Sequence, residues 1–196
     1  MPDSIPAIKR RHLLTSACAL GLGLSRAGRS QTPGQPVLPP GPDTGDLLVF
    51  AFGEREAQPI TPDDLALGDS QVFAYAMEPQ QQMVRNQTRI YEIILVRLDP
   101  GWLSETTAAR AVDGIVAYTG FCTHTGCDVE LWDAETNRFQ CPCHESQFDP
   151  SDGARVVGGP APWPLAALPL MLVDGTLAVA GPFEGRLGFQ QQPGAF

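Results

Sequence analysis

Two short clusters of cysteine and histidine contain the residues of this 196-residue chain that could do chemistry. Residues 122–127 read CTHTGC and residues 141–146 read CPCHES, with 13 residues between them. Together they hold four of the five cysteines and two of the three histidines. Thiolates on one iron and neutral imidazoles on the other can hold a [2Fe-2S] cluster, and the imidazoles raise its reduction potential. The two clusters therefore predict an iron–sulfur electron carrier.

The pair of boxes resembles the Rieske family, in particular its disulfide-bearing electron-transfer branch, over residues 114 to 182. The resemblance implies one [2Fe-2S] cluster with two cysteine and two histidine ligands, and a disulfide that staples the two loops together. The implied ligands are Cys122, His124, Cys141 and His144, and the implied disulfide joins Cys127 to Cys143.

A zinc ribbon is the alternative for such a set of cysteines and histidines. Zinc knuckles usually space their ligands as Cys-x2-Cys. Here the first box has the spacing Cys-x-His-x2-Cys and the second Cys-x-Cys-His. The spacing favours iron and sulfur.

The resemblance extends to residues around the predicted ligands. Residues 158–164, GGPAPWP, resemble the proline loop that covers the cluster in this family, with Pro160 among the covering residues. An ordinary rigid surface connection would also contain alternating prolines. Ser146 matches the family serine whose hydroxyl bonds a bridging sulfide, and such donors tune redox sites.

Two positions depart from the high-potential, quinol-oxidising members of the family. Those members carry a tyrosine that donates to a ligand sulfur where this chain has Phe148. A phenyl ring cannot donate, so we expect a potential below the top of the Rieske range of about −150 to +300 mV. With Phe148 at this position, the chain resembles the small Rieske subunit of arsenite oxidase. Glu145, where relatives often have glycine, either lowers the potential further or is a solvated carboxylate.

The start of the chain predicts export. Arg10 and Arg11 precede a weakly apolar run over residues 13–24 and a small-residue site ending at Ala27, which resembles a twin-arginine signal over residues 1–27. The run is shorter than the roughly 20 residues that a membrane-spanning helix needs. We expect cleavage near Ala27 and a periplasmic protein, which would be membrane-associated only if the signal stayed as an anchor.

Charge narrows the choice of partners. Beyond residue 27 the chain has 9 basic and 21 acidic residues, a net charge of −12. That balance excludes nucleic acid as an expected partner. It favours a basic patch on cytochrome c or another periplasmic redox protein, such as a molybdenum oxidoreductase or a quinol complex, although it would also serve solubility alone.

The elements that position the boxes are mainly strands. A Pro- and Gly-rich linker over residues 28–45 precedes one domain over 46–196, with the cluster-binding subdomain at about 120–160. We predict a mainly β fold, a Rieske-type antiparallel sandwich with this subdomain inserted and short helices after Thr61 and over 104–112. Strands are predicted over 47–52, 71–77, 90–98, 114–119, 138–140, 154–157, 168–173 and 176–180.

Several functions fit these features. The first is one-electron transfer by a subunit or carrier of a periplasmic respiratory oxidoreductase. The alternative is a quinol-oxidising Rieske subunit of a quinol:cytochrome c oxidoreductase. A Rieske oxygenase would need a second iron held by two more histidines and a carboxylate, and the only further histidine is His12, in the signal. A redox-sensing or structural module is the remaining possibility.

Overall fold

The computed structural model describes residues 39–189. The predicted signal and most of the predicted linker lie outside the described residues. The final linker residues contact the domain, since the Tyr91 hydroxyl donates to the Pro39 carbonyl at 3.0 Å and the Gly45 amide donates to the Val179 carbonyl at 2.9 Å. Ordered contacts therefore begin before residue 46.

A seven-stranded sheet forms the larger part of the domain. Its order is β10-β11-β1-β2-β4-β5, with β3 paired to β2, and all of these strand pairs are antiparallel. The sheet curls, because β5 is also bridged to the segment just before β10 through Tyr118 and Ala167. Its strands are β1 Leu47–Phe50, β2 Val72–Glu78, β3 Met83–Val84, β4 Ile93–Arg97, β5 Ile115–Thr119, β10 Leu170–Val173 and β11 Thr176–Val179.

A second, four-stranded sheet is formed by the chain between β5 and β10. Its order follows the sequence, β6-β7-β8-β9, and its pairs are antiparallel. Both cysteine- and histidine-containing boxes lie at the ends of its strands or just before them. The strands are β6 Leu131–Asp133, β7 Arg138–Gln140, β8 Gln147–Asp149 and β9 Arg155–Gly158.

Both faces of the central strands are buried, which explains their nearly continuous apolar sequence. In β4, Ile93 and Leu95 point into the interior of the curled sheet. The alternate residues Ile94 and Val96 pack toward the small sheet, in the apolar cluster that contains Cys122 and Cys141. The period of two along one strand thus links the two sheets and places the boxes on a packed base.

Helices are few and short. α1 spans Glu105–Ala108, with the Ser104 side chain accepting from the Thr107 amide. Single 3-10 turns span Pro62–Asp64, Arg89–Tyr91, Pro100–Trp102 and Pro150–Asp152. No helix within residues 39–189 is long and apolar enough to cross a bilayer.

The mainly antiparallel β fold is confirmed, with local corrections. The strand predicted from residue 90 begins at Ile93, because Thr88 caps a 3-10 turn first. The helix predicted over 104–112 is one turn long, because Val112 pairs with Ile115 and the chain turns through Asp113 and Gly114 at positive φ. Strands β3, β6 and β8, each of two or three residues, are absent from the sequence-based prediction.

Candidate metal centre

The two boxes form loops that close in the same way. Loop 1, residues 122–127, lies between β5 and β6, and loop 2, residues 141–146, connects β7 to β8. In loop 1 the Cys122 amide donates to the Cys127 carbonyl at 2.8 Å, and the Cys122 carbonyl accepts from Gly126 at 3.0 Å. In loop 2 the Cys141 amide donates to the Ser146 carbonyl at 2.9 Å, and the Cys141 carbonyl accepts from the Glu145 amide at 3.0 Å. Each loop therefore presents its first cysteine from an equivalent backbone position.

The structure contains the predicted disulfide between Cys127 and Cys143, which joins the two loops across 16 positions of sequence. The other two cysteines of the described residues, Cys122 and Cys141, are free and buried. Sequence reasoning thus separated the four cysteines into two structurally distinct pairs.

The two histidines lie side by side. Their ring centroids are 4.5 Å apart and the rings are nearly perpendicular, at 89°. His124 is half-buried and His144 is exposed. Nδ1 of His124 is buried and finds no hydrogen-bond partner among residues 39–189. A buried, unpartnered imidazole nitrogen is costly unless something binds it, and a metal is a usual partner.

The spacing of these groups distinguishes a single ion from a cluster. Atoms that bind one zinc ion lie within about 4.6 Å of one another, twice the Zn–S bond length. Within the described residues, only one group of three or more cysteine, histidine, aspartate or glutamate side chains has ligand atoms that all lie within 4.8 Å of one another. That group is Cys141 with the two disulfide cysteines. Oxidised cysteines supply no thiolate. No three of the four predicted ligands meet this limit, which does not fit one ion held by all four and agrees with a cofactor that has two metal atoms.

The buried environment of Cys122 disfavours a free thiolate. Burial raises the pKa of the Cys122 thiol to about 11, against lowering contributions from the His124 amide and the Ser146 hydroxyl. A thiol of this kind stays protonated near neutral pH, and a coordinated metal ion deprotonates it outright. The donor set and its surroundings both fit a [2Fe-2S] cluster.

The proline loop, residues 158–164, contacts both loop 1 and loop 2. The buried Thr123 of loop 1 donates its hydroxyl to the Trp163 carbonyl at 2.7 Å. The buried Ser146 of loop 2 accepts from the Ala161 amide at 3.1 Å, which leaves its own hydroxyl hydrogen free to donate elsewhere. Pro160 is exposed beside these contacts. Thr123 was missed at the sequence level, because nothing in its local sequence indicates a partner 40 residues away.

Gly159 makes the close approach of the proline loop possible. Its φ is +76°, and a Cβ there would lie 2.4 Å from the Ser146 Cα. Only glycine fits such a position without movement of the backbone. The proline loop and loop 2 are therefore packed backbone to backbone.

Phe148 is completely buried in β8. It lies opposite Phe139 of β7 and belongs to the apolar cluster that includes both free cysteines. The structure thus places an apolar ring beneath the site, where a tyrosine would bring a hydroxyl.

A buried acid lies on the loop 1 side of the site. Glu92 is 5% exposed, its carbonyl accepts from the Gly120 amide at 2.8 Å, and its carboxylate accepts from the Tyr75 hydroxyl at 3.4 Å. Burial, followed by the charge of Asp128, raises the pKa of Glu92 to about 7. Asp128 itself receives two bonds from Arg89, at 2.6 and 2.8 Å. Sequence reasoning gave no signal for this group.

Comparison with known proteins identifies a matching family and several relatives of this chain. A model of the Rieske [2Fe-2S] domain matches residues 72–169, half of the chain. The cytochrome bc1 complex Rieske iron-sulfur subunit of Streptomyces lividans is 36% identical over 114 residues, which cover 57% of this chain and 67% of that protein. The corresponding subunit of Streptomyces coelicolor is 36% identical over 57% of this chain and 32% of its own length.

Two further likenesses are more limited. The putative respiratory nitrate reductase subunit Rieske of Haloferax mediterranei is 45% identical over 78 residues, covering 39% of this chain and 34% of that protein. Among solved structures, the cyanobacterial plasma membrane Rieske protein of Synechocystis PCC 6803 is 23% identical over 61% of this chain and 93% of its own, with a TM-score of 0.39. The chain thus spans two thirds of the Streptomyces lividans protein and about a third of the Streptomyces coelicolor and Haloferax proteins.

Proposed function

Because the chain belongs to the Rieske [2Fe-2S] family, we propose that it transfers single electrons in a periplasmic respiratory oxidoreductase. In this proposal Cys122 and Cys141 hold one iron of its cluster, and His124 and His144 hold the other. The observation that carries the ligand assignment is Nδ1 of His124, which is buried without a partner among residues 39–189 and lies beside the His144 ring. Within residues 39–189, no three of these four side chains have ligand atoms that all lie within 4.8 Å of one another, which supports two metal atoms rather than one.

The cluster supplies a centre that takes up and releases one electron. The chain's own residues set the conditions for that exchange. Ser146 has a hydroxyl hydrogen free to donate toward the cofactor, which favours added negative charge there. The apolar cluster that contains Cys122, Cys141 and Phe148 buries the inner side of the site, and the proline loop is bonded to both loops. The exposed His144 offers the route by which an electron reaches a partner.

The partner is a redox protein or complex in this proposal. The relatives named above include Rieske subunits of cytochrome bc1 complexes and of a putative respiratory nitrate reductase. The acidic domain supports association with a basic surface, such as that of a cytochrome c. The twin-arginine pattern supports export of the folded, loaded protein to the periplasm.

Loss of single ligands tests the assignment. In Cys122→Ser and in His144→Ala we expect loss of iron, of acid-labile sulfide and of the Rieske EPR signal from the full chain, because each variant removes one bond to the cluster. Thr125→Ala is the matched control, since Thr125 is an exposed loop 1 residue whose hydroxyl lies 3.9 Å from the Cys127 sulfur. Full iron content with an unchanged signal in Cys122→Ser would show that other residues are the ligands.

Quinol oxidation is the second candidate, favoured by the likeness to cytochrome bc1 Rieske subunits and by the exposure of His144. A titration of the midpoint potential from about pH 6 to 10 separates it from simple relay, because a histidine that ionises in this window couples proton and electron uptake. A high potential that falls with alkaline pH supports quinol oxidation. A low potential supports relay beside another enzyme.

Phe148→Tyr sharpens this choice. We expect the midpoint potential to rise by on the order of 50 mV, because a new hydroxyl in the apolar cluster of Cys122 and Cys141 can donate to a thiolate sulfur. Phe139→Tyr is the control, since its buried ring packs against Tyr118 and Trp132. Equal shifts in the two variants would contradict a specific bond from position 148.

A further inference from the structure

The chain after β11 returns to the candidate metal centre. We call residues 183–189 the strap; it lies beyond the region matched by the Rieske domain model. Its base is held by Glu184, whose amide and carbonyl bond those of Ala167 at 2.7 and 2.8 Å. The Glu184 carboxylate also accepts from Arg110 at 3.1 Å. The strap is therefore fixed to the large sheet before it reaches the loops.

Beyond Glu184 the strap contacts two different parts of the site. The Arg186 guanidinium carbon lies 4.0 Å from the centroid of the Trp163 ring, in the proline loop. The Phe189 ring lies 6.0 Å from that of Phe121, next to loop 1. A Cβ on Gly126 would come within 2.9 Å of Phe189. One segment thus touches the proline loop and the outer side of loop 1.

Trp163 contacts both Arg186 of the strap and Thr123 of loop 1. Its ring meets Arg186 from outside, while its carbonyl accepts the hydroxyl of Thr123, which lies between the predicted ligands Cys122 and His124. Two residues earlier in the same loop, the Ala161 amide donates to Ser146. Any outward movement of Trp163 therefore strains the bonds of the proline loop to both metal-ligand loops.

We propose that Arg186 is a positioning residue, which holds the proline loop closed over the cluster site through its stacking on Trp163. Its positive charge, kept near the site, also raises the midpoint potential. This second effect rests on the proposed function, whereas the closure of the loop does not. A guanidinium over an indole face is attractive because the ring face is negative.

The experiment compares Arg186→Gln with the wild type in the full chain. In Arg186→Gln we expect the Ala161 amide to exchange its hydrogen about two- to fivefold faster. This factor corresponds to the free energy of a cation–π contact at an exposed site. We expect the midpoint potential to fall, because removal of a positive charge disfavours the reduced state. Arg186→Lys should restore most of the protection of the Ala161 amide, since an ammonium can occupy the same ring face.

Arg55→Gln is the matched control. Arg55 also stacks on an aromatic ring, 4.2 Å from the centroid of Phe50, but in the β1 region of the large sheet. It should change neither the exchange of the Ala161 amide nor the potential. Trp163→Leu combined with Arg186→Gln should give less than the sum of the two separate effects, because both variants remove one contact.

Unchanged exchange of the Ala161 amide in Arg186→Gln would overturn the proposal. A fall in potential without faster exchange would overturn it as well, because Arg186 would then act by charge alone. The exchange measurement needs no assignment of ligands, so the Cys122→Ser test can fail while the result for Arg186 stands.

Discussion

Loops 1 and 2 share their backbone closure and differ in their surroundings. Each uses two hydrogen bonds of its first cysteine, one donated by the amide and one accepted by the carbonyl. Each also has one residue at positive φ in its fifth position, Gly126 or Glu145. The proline loop contacts both loops, but only loop 1 is also packed against Phe121 and Phe189, whereas residues 142–145 of loop 2 are all exposed. Local geometry is therefore fixed by short-range bonds, and exposure is fixed by what the rest of the chain places over each loop.

The difference assigns separate roles within one site. Loop 1 belongs to the interior, because it buries Thr123 and Gly126 and contacts the strap. Loop 2 presents His144 to solvent, which makes it the face that a redox partner can reach. The disulfide is the covalent link between the interior loop and the exposed one.

Removal of that link should have the largest effect. In the Cys127→Ser, Cys143→Ser double variant we expect the free energy of unfolding to fall by about 3 kcal/mol, because a cross-link across 16 positions no longer restricts the unfolded chain. For a domain of this size the melting temperature should fall by about 6–12 °C. Thermal unfolding followed by circular dichroism measures the change.

Cys18→Ser is the control for this variant, since Cys18 is outside the described residues and in the predicted signal. A melting temperature of the double variant within about 2 °C of the wild type would show that other contacts hold loop 2 to loop 1.

The fifth positions of the two loops should respond in opposite directions. Gly126→Ala should lower the free energy of unfolding by about 1–3 kcal/mol, because φ is +80° there and the new Cβ would lie 2.6 Å from the Phe121 ring. Glu145→Gly should raise it by about 0.5–1 kcal/mol, because glycine relieves a φ of +59° at a small cost in chain entropy. Denaturant unfolding of the variants measures both. If both variants changed the free energy of unfolding in the same direction, glycine would not be the favoured residue at the fifth position of both loops.

The buried acid beside loop 1 should make stability depend on pH. The pKa of Glu92 rises from 4.5 to about 7, so the folded state holds its proton more tightly than the unfolded state does. The stabilisation is complete below about pH 4.5 and is lost as pH rises through about 7. Glu92→Gln should flatten the fall in unfolding free energy over this window. A wild-type profile that is flat or rising, with no difference in the variant, would contradict the assignment to Glu92.

The exposed carboxylate of loop 2 should have the smallest effect. Glu145→Gln should raise the midpoint potential by about 10–40 mV, because it removes a negative charge that solvent partly screens. The shift should shrink at high salt. Glu54→Gln, an exposed acid near β1, is the control. No shift at low salt would identify Glu145 as a solvated loop carboxylate.

Much of the large sheet could be predicted from sequence because its strands are long and apolar. Strands β4 and β5 bury both faces, and Asp174 with Gly175 supplies a turn with two positive φ values between β10 and β11. Strands β6 and β8 could not be predicted in this way. They are three residues long, and their pairing depends on neighbours that the fold supplies rather than on their own periodicity.

The candidate site also has residues that could be predicted from sequence and residues that could not. The two boxes predicted the disulfide, and the structure places the four predicted ligands around one site, where their assignment stays a prediction. Thr123, Arg186 and Phe189 carried no signal, because their partners lie 40, 23 and 68 residues away and each is a single contact. Local motifs encode the donors, while the chain's long-range packing decides what covers them.

The burial of Cys122 and Cys141 has a consequence for biogenesis. Both thiols lie beneath loops that are cross-linked by a disulfide and bonded to the proline loop. In the proposed ligand assignment, iron must reach both buried thiols, and each thiol gives up its proton to the metal. On this assignment we expect iron delivery to precede closure of the loops. A cluster lost after closure could be replaced only if the loops opened again.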